Sequence, residues 1–218
     1  VYSYYFVFRS DFMQRVIPAI LTADSADLAK KLAILKNHAN WVQIDIMDGK
    51  FVSNTSVNLF ELGEASQFFN LEIHLMVVNP EKYFEDCAAI GAKRVIFHLE
   101  GTKDPNMVLR EMMKYSFQRG IGINPPTLAR EFKPYLSFID SALVLTVNPG
   151  FQGQEFLPLA LEKINEIKLV SREIQVGVDG GISEGNIREA FQAGADYVAV
   201  GSGIWKAEDP IAALKHLE

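Results

Sequence analysis

The chain has 218 residues, 49% of them hydrophobic and 22% charged, with 21 Lys+Arg against 27 Asp+Glu and a formal net charge of −6. That is the size and composition of one globular domain and excludes collagen-like, coiled-coil and disordered classes. The pI near 5.3 and the scattered Lys and Arg offer no basic stripe to a nucleic-acid backbone, so nucleic acid is not an expected partner. Small anions remain candidates, because backbone amides can bind them.

Residues 1–12 are aromatic-rich, with no basic n-region and no small-residue cleavage site before Met13. A cleaved signal peptide is not expected there. The segment reads as an extension of unassigned role, a misassigned start or an added strand, ahead of a domain spanning 13–218. No apolar run reaches the roughly 18 residues of a membrane span, so no membrane partner is expected. Cys87 is the single cysteine. It has no disulfide partner, fits a reducing, cytoplasmic setting, and reads as a buried helical residue.

Strand-sized apolar runs follow in order: Val16 to Leu21, Trp41 to Ile46, Leu71 to Val77, Arg94 to Leu99, Gly120 to Ile123, Ala142 to Val147, Ile174 to Val178 and Tyr197 to Val200. Between most of them lies helical spacing, as in Leu28, Leu32 and Leu35, or Leu161, Ile164 and Ile167. A βαβα pattern throughout, at roughly 27 residues per unit, predicts a single α/β domain of the (β/α)8 TIM-barrel class. A doubly wound sheet is the alternative. A weak repeat supports the barrel: Ala39, Ala92 and Ala195 each precede, by three residues, a valine that enters a strand (Val42, Val95, Val198). The valines are spaced by roughly two and four units.

In such a barrel, chemistry gathers at the carboxyl ends of the strands. Period-two alternation puts Gln43, Asp45 and Met47 on one face of the second strand. A carboxylate inside an apolar strand needs a partner or a metal. His74 interrupts the third strand and Asp179 ends the seventh, so Asp45, His74 and Asp179 converge above one mouth. His98 and Glu100 are weaker candidates near the same mouth, and His38 and His216 read as helix-end residues. Glycine-rich stretches follow the sixth strand (Asn148 to Gln154), the seventh (Asp179 to Ser183) and the eighth (Gly201 to Ile204). Gly180, Gly181, Gly201 and Ser202 are the expected phosphate ligands, helped by a short helix over 203–206. The first strand-helix turn, Leu21 to Asp24, has no glycine, so a dinucleotide fingerprint is absent.

From Val16 to about Lys206 the chain resembles the ribulose-phosphate 3-epimerase family. The resemblance is carried by Pro18 to Asp24, Asp45-Ile-Met-Asp-Gly49 with Phe51 and Val52, His74-Leu-Met76 with Asn79 and Pro80, Val147 to Phe151, and Val178 to Gly181. It implies a TIM-barrel isomerase that interconverts ribulose 5-phosphate and xylulose 5-phosphate in the pentose phosphate pathway with a divalent metal. Carried over by position, Asp45 and Asp179 correspond to the acid/base pair and to metal ligands. His74 corresponds to a third ligand beside the substrate. Gly150, Phe151, Gln152, Gly153, Gly180, Gly181, Gly201 and Ser202 correspond to substrate-binding loops. Met47 and Met76 would floor the site. The partner so implied is a small-molecule ketose phosphate, and a homo-oligomer is a family expectation only.

The chain also departs from the family pattern. Gln43 stands where the family has a metal-binding histidine, Ala19 where it has serine, Lys50 where it has histidine, Ser53 where it has proline, and Leu145 where it has methionine. Zinc, manganese, magnesium and iron are the candidate cofactors, and an amide oxygen at Gln43 suits Mg²⁺ or Mn²⁺ better than Zn²⁺. Two readings stay open: an epimerase of this or a closely related ketose phosphate, and a phosphate-binding barrel that does not epimerise, such as a decarboxylase- or aldolase-type relative.

Overall fold

The computed structural model describes residues 15–151 and 153–218; the 1–12 segment and Gln152 lie outside the described residues. Eight strands, β1 (Arg15–Ile20), β2 (Trp41–Met47), β3 (Asn70–Met76), β4 (Arg94–His98), β5 (Gln118–Ile123), β6 (Ser141–Leu145), β7 (Gln175–Asp179) and β8 (Tyr197–Val200), pair in sequence order into a closed barrel. Every pairing is parallel, and β8 returns to β1 with Val198 opposite Val16 and Val200 opposite Pro18. Closure rules out the doubly wound alternative and leaves no free sheet edge. The three valines of the repeat enter β2, β4 and β8, and each is fully buried.

The helices are α1 (Ser25–Leu35), α2 (Phe84–Ala89), α3 (Pro105–Met112), α4 (Glu162–Val170), α5 (Ile187–Gln192), α6 (Ser202–Trp205) and α7 (Pro210–Leu217). Their starts are written locally. The Asp24 carboxylate accepts from Ala26 N (2.8 Å) ahead of α1, and Asp104 and Asp209 do the same for α3 and α7, each followed by a proline whose missing N–H is harmless there. Cys87 sits buried in α2 as expected. In the described chain, helices follow six of the eight strands, in keeping with the helical spacing between most of them, and the βαβα pattern is interrupted in two places. After β2 and β5 the described chain forms only 3-10 turns, Leu59–Leu62, Ala65–Gln67 and Ala129–Phe132. Gly63, at φ +53°, ends the first turn. Pro125, Pro126 and Pro134 bracket the last, and each removes a backbone donor. Among the described residues, no helix is long and apolar enough to cross a membrane.

Three apolar clusters result among the described residues, the smallest being Met47, Val52 and Met76 at the mouth. The largest lies between sheet and helices and holds Val42, Ile44 and Ile46 of β2 with their counterparts on other strands. A smaller one fills the barrel itself with Ile17, Ile96, Leu143, Leu145 and Tyr197. Glycine makes that filling possible at Gly177, where a Cβ would come within 2.2 Å of the Tyr197 ring.

Below this plug, at the amino ends of the strands, Arg94 is almost wholly buried. Its guanidinium bonds Glu72 (2.8 Å), Gln175 (3.0 Å) and Gln118 (3.1 Å), between the rings of Trp41 and Tyr197, each 4.6 Å away. Above the plug, the β2–β3 register sets Asp45 beside His74 and Met47 beside Met76.

Candidate active site

Inward alternation on β2 and β3 delivers Asp45 and His74 to the upper barrel, and Asp179 arrives as the last residue of β7, flanked by Leu145 and Ala199. His74 Nδ1 lies 2.9 Å from Asp45 Oδ1 and 3.3 Å from Asp179 Oδ2. Gln43, with no exposed surface, reaches up from one step lower, and its Nε2 donates to Asp45 Oδ1 (2.9 Å) and Asp179 Oδ2 (2.8 Å).

Burial alone would push the His74 imidazole down, but its bonds to Asp179 and Asp45 and their charges raise it to about 10. Burial raises the Asp45 carboxyl above the usual carboxylate range, opposed by the bonds from His74 and Gln43. The second acid of the motif, Asp48, has another role. Its carboxylate accepts the backbone N–H of Lys50 (2.8 Å), Phe51 (2.9 Å) and Val78 (2.9 Å), so it knits the loops after β2 and β3 together. Of the two acids in this motif, only Asp45 faces the cavity.

Behind His74 lies His98, with the two Nε2 atoms 2.8 Å apart. That separation requires one donor and one acceptor. Burial lowers His98, which is therefore the neutral acceptor of the pair. Its Nδ1 is 3.4 Å from Glu100 Oε2, while Glu100 Oε1 accepts from Asn124 N (2.8 Å) and the Thr127 hydroxyl. Gly122 leaves room for this ring; a Cβ there would lie 3.0 Å from His98 Nε2. His98 and Glu100 thus stand behind the mouth and brace it.

Asp45, His74, Asp179, Gly150, Phe151, Gly153, Gly180, Gly181, Gly201 and Ser202 line a single cavity, with Met47 and Met76 on its wall. Gln43 lies beneath it. The loops are tied in place: Asn54 donates to the Gly150 carbonyl (2.7 Å), Thr146 N–H to the Asp179 carbonyl (2.8 Å), and the Trp205 indole of α6 to the Ala19 carbonyl (2.7 Å). Gly180, at φ +113°, sits where a Cβ would strike Val147 at 2.5 Å, so no other residue fits that turn. Gln154, which the sequence reading did not single out, also lines the cavity and donates to the carbonyls of Asn148 and Phe151. Its place at the end of the glycine stretch was the available signal.

Asp45, His74 and Asp179 each offer one ligand atom, and these atoms all lie within 4.8 Å of one another. Two carboxylate oxygens and one imidazole nitrogen, with Gln43 Oε1 buried nearby and lacking any hydrogen-bond partner, fit a divalent cation by donor chemistry.

The sequence model described as the Ribulose-phosphate 3 epimerase family matches residues 15–205. The ribulose-phosphate 3-epimerase of Mycobacterium tuberculosis is 37% identical over 208 residues, covering 93% of this chain and 90% of that protein. That of Helicobacter pylori is 36% identical over 210 residues, covering 94% and 96%. Among solved structures, 3-hexulose-6-phosphate synthase from Salmonella typhimurium superposes with a TM-score of 0.71 at 13% identity, covering 94% of this chain and 96% of that one, a likeness of fold. The chain belongs to the ribulose-phosphate 3-epimerase family, and it is an isomerase of the epimerase kind.

Proposed function

We propose that the chain inverts C3 of ribulose 5-phosphate to give xylulose 5-phosphate, or acts likewise on a closely related ketose phosphate, with Asp45 and Asp179 as the two proton-transfer groups. The observation that carries this reading is the pair of carboxylates from different strands, held 2.9 and 2.8 Å from one amide nitrogen and facing one cavity. Inverting a carbon next to a ketone requires removal of its proton on one face and delivery of a proton on the other. One carboxylate takes the C3 proton, and the C–H electron pair moves to the carbonyl as an enediolate. The other carboxyl, already protonated, returns a proton to the opposite face. A carboxyl raised by burial suits a group that must both hold and release a proton.

His74 packs against both carboxylates and fixes their separation. Backbone N–H groups of Gly180, Gly181, Gly201 and Ser202 are the phosphate ligands of this reading. Gly150, Phe151 and Gly153 cover the sugar and exclude water. Asp45, His74 and Asp179 are the residues to hold a divalent cation, which when bound supplies electrostatic stabilisation for the developing enediolate charge.

The test is to mix the purified protein with ribulose 5-phosphate in D₂O, with EDTA or with Mg²⁺, Mn²⁺ or Zn²⁺, and follow C3–H by proton NMR. Exchange with appearance of xylulose 5-phosphate is the expected result. Binding of the phosphosugar without any C3 exchange under every condition would contradict it and favour a barrel that binds but does not epimerise.

A further inference from the structure

One nitrogen atom, Gln43 Nε2, faces all three atoms offered to a cation. It donates to Asp45 Oδ1 (2.9 Å) and Asp179 Oδ2 (2.8 Å) and lies 3.4 Å from His74 Nδ1. The other end of the same amide, Oε1, is buried and bonds nothing. A buried acceptor without a partner is unfavourable, and here it sits next to the densest set of ligand atoms in the described chain.

A primary amide can exchange its donor end for its acceptor end by half a turn about the Cγ–Cδ bond, within nearly the same volume. With no cation present, nitrogen inward is the stable orientation, because an inward oxygen would meet two carboxylate oxygens. With a cation among those carboxylates the preference reverses. Amide hydrogens would then point at a positive charge, whereas the carbonyl oxygen would be a ligand.

We propose that Gln43 is an amide switch of the metal centre: Nε2 bridges Asp45 and Asp179 in the cation-free protein, and Oε1 turns inward as a further ligand when a divalent cation binds. The proposal rests on the cation-binding reading given above. Two properties follow. The amide keeps the two carboxylates together without a cation, so the site stays assembled when the cation is lost. The protein donors become three oxygens and one nitrogen, an oxygen-rich set that favours Mn²⁺ or Mg²⁺ over Zn²⁺ in comparison with a set holding a second imidazole.

The experiment measures binding, not turnover. Mn²⁺ affinity is read from the electron paramagnetic resonance of free Mn²⁺, and Zn²⁺ affinity from competition against it, for the wild-type chain, Gln43→His and Asp179→Asn. Neighbours that merely orient a ligand change metal affinity by about 10-fold or more, so replacing a ligand at Gln43→His is expected to raise the Zn²⁺/Mn²⁺ affinity ratio by at least about 10-fold.

In parallel, the side-chain NH₂ of Gln43, assigned in ¹⁵N-labelled wild-type protein through its proximity to His74, is followed as Mg²⁺ is added. Loss of its two carboxylate acceptors is expected to move both proton resonances, and this arm stands even where Gln43→His does not fold. A ratio unchanged within twofold, or an NH₂ pair unmoved at saturating Mg²⁺, would overturn the switch while leaving the cation site intact. A wild-type chain that binds no cation, or Asp179→Asn binding as tightly as wild type, would overturn the cation-binding reading itself and the switch with it.

Discussion

Two polar clusters are buried in the same barrel, one at each end, and they are finished differently. At the base, Arg94 is bonded to Glu72, capped by Gln118 and Gln175, and enclosed by the Trp41 and Tyr197 rings, with the Arg15 guanidinium 5.2 Å from the same Trp41 ring. At the mouth, two carboxylates face one imidazole across a cavity, and a neighbouring amide oxygen has no partner. At the base the Arg94–Glu72 pair is bonded in direct contact and enclosed by aromatic rings, as suits a structural plug. At the mouth two carboxylates share one imidazole and open onto a cavity, the condition of a site that is completed by a ligand.

If that division is right, a mouth substitution removes chemistry and leaves the fold, whereas a base substitution does the reverse. Asp45→Asn is expected to lower turnover by about 10³-fold or more while the urea midpoint stays close to wild type, since a positioned acid/base group contributes on the order of 10²–10⁴ and the change keeps the shape. Retention of a tenth of the activity would exclude Asp45 as a proton-transfer group.

At the base, Arg94→Met strands Glu72 and is expected to lose about 3–5 kcal/mol in urea unfolding, with kcat of the folded fraction unchanged. Adding Glu72→Leu to that variant should recover most of the loss. A double variant as weak as the single one would mean that the cluster contributes packing and not charge balance.

Two glycines, one facing the Tyr197 plug and one facing His98, divide the same way at smaller scale. Gly177→Ala, aimed at Tyr197, should cost about 1–3 kcal/mol, because an extra methyl in a filled core forces its neighbours apart. Gly122→Ala, aimed at His98, meets a softer contact and should reveal itself in kcat before it does in the unfolding midpoint.

The smallest effect concerns Glu100. Burial works against its ionised form, yet the neighbouring His98 ring and the Thr127 and Asn124 donors bring it from an ordinary 4.5 down to about 2. Because the folded value is the lower one, the stabilisation is present above pH 4.5 and is lost as the pH falls toward 2. The Glu100→Gln protein should therefore show a flatter stability profile than wild type across that window, measured by thermal unfolding. Parallel profiles would exclude Glu100 as a brace of His98.

The mouth was more legible in the sequence than the base, for a physical reason. Asp45, His74 and Asp179 interrupt apolar strands, and polar groups there stand out against their neighbours. Glu72 and Arg94 lie at or near strand starts, where charges ordinarily face water; only barrel closure, which brings Trp41 and Tyr197 over them, turns them inward. His98 was visible as a candidate, but its contact with His74 was not. The register pairs His74 with Ile96, and the stagger of the barrel carries the residue two places on against the His74 ring. The strands themselves were found from apolar runs, with ends displaced by up to two residues, as at Ser141–Leu145. The connections after β2 and β5 carry Gly63 and Pro125, Pro126 and Pro134, turn signals that match their 3-10 conformation.

The account turns on two carboxylates that divide one proton transfer between them. The most direct measurement is deuterium exchange at C3 of ribulose 5-phosphate and of xylulose 5-phosphate, each incubated separately with Asp45→Asn and with Asp179→Asn. The prediction is that each variant exchanges the C3 proton of one epimer only, that the two variants choose opposite epimers, and that neither interconverts them. Either variant interconverting both epimers at a rate near that of wild type would contradict the assignment of these two aspartates.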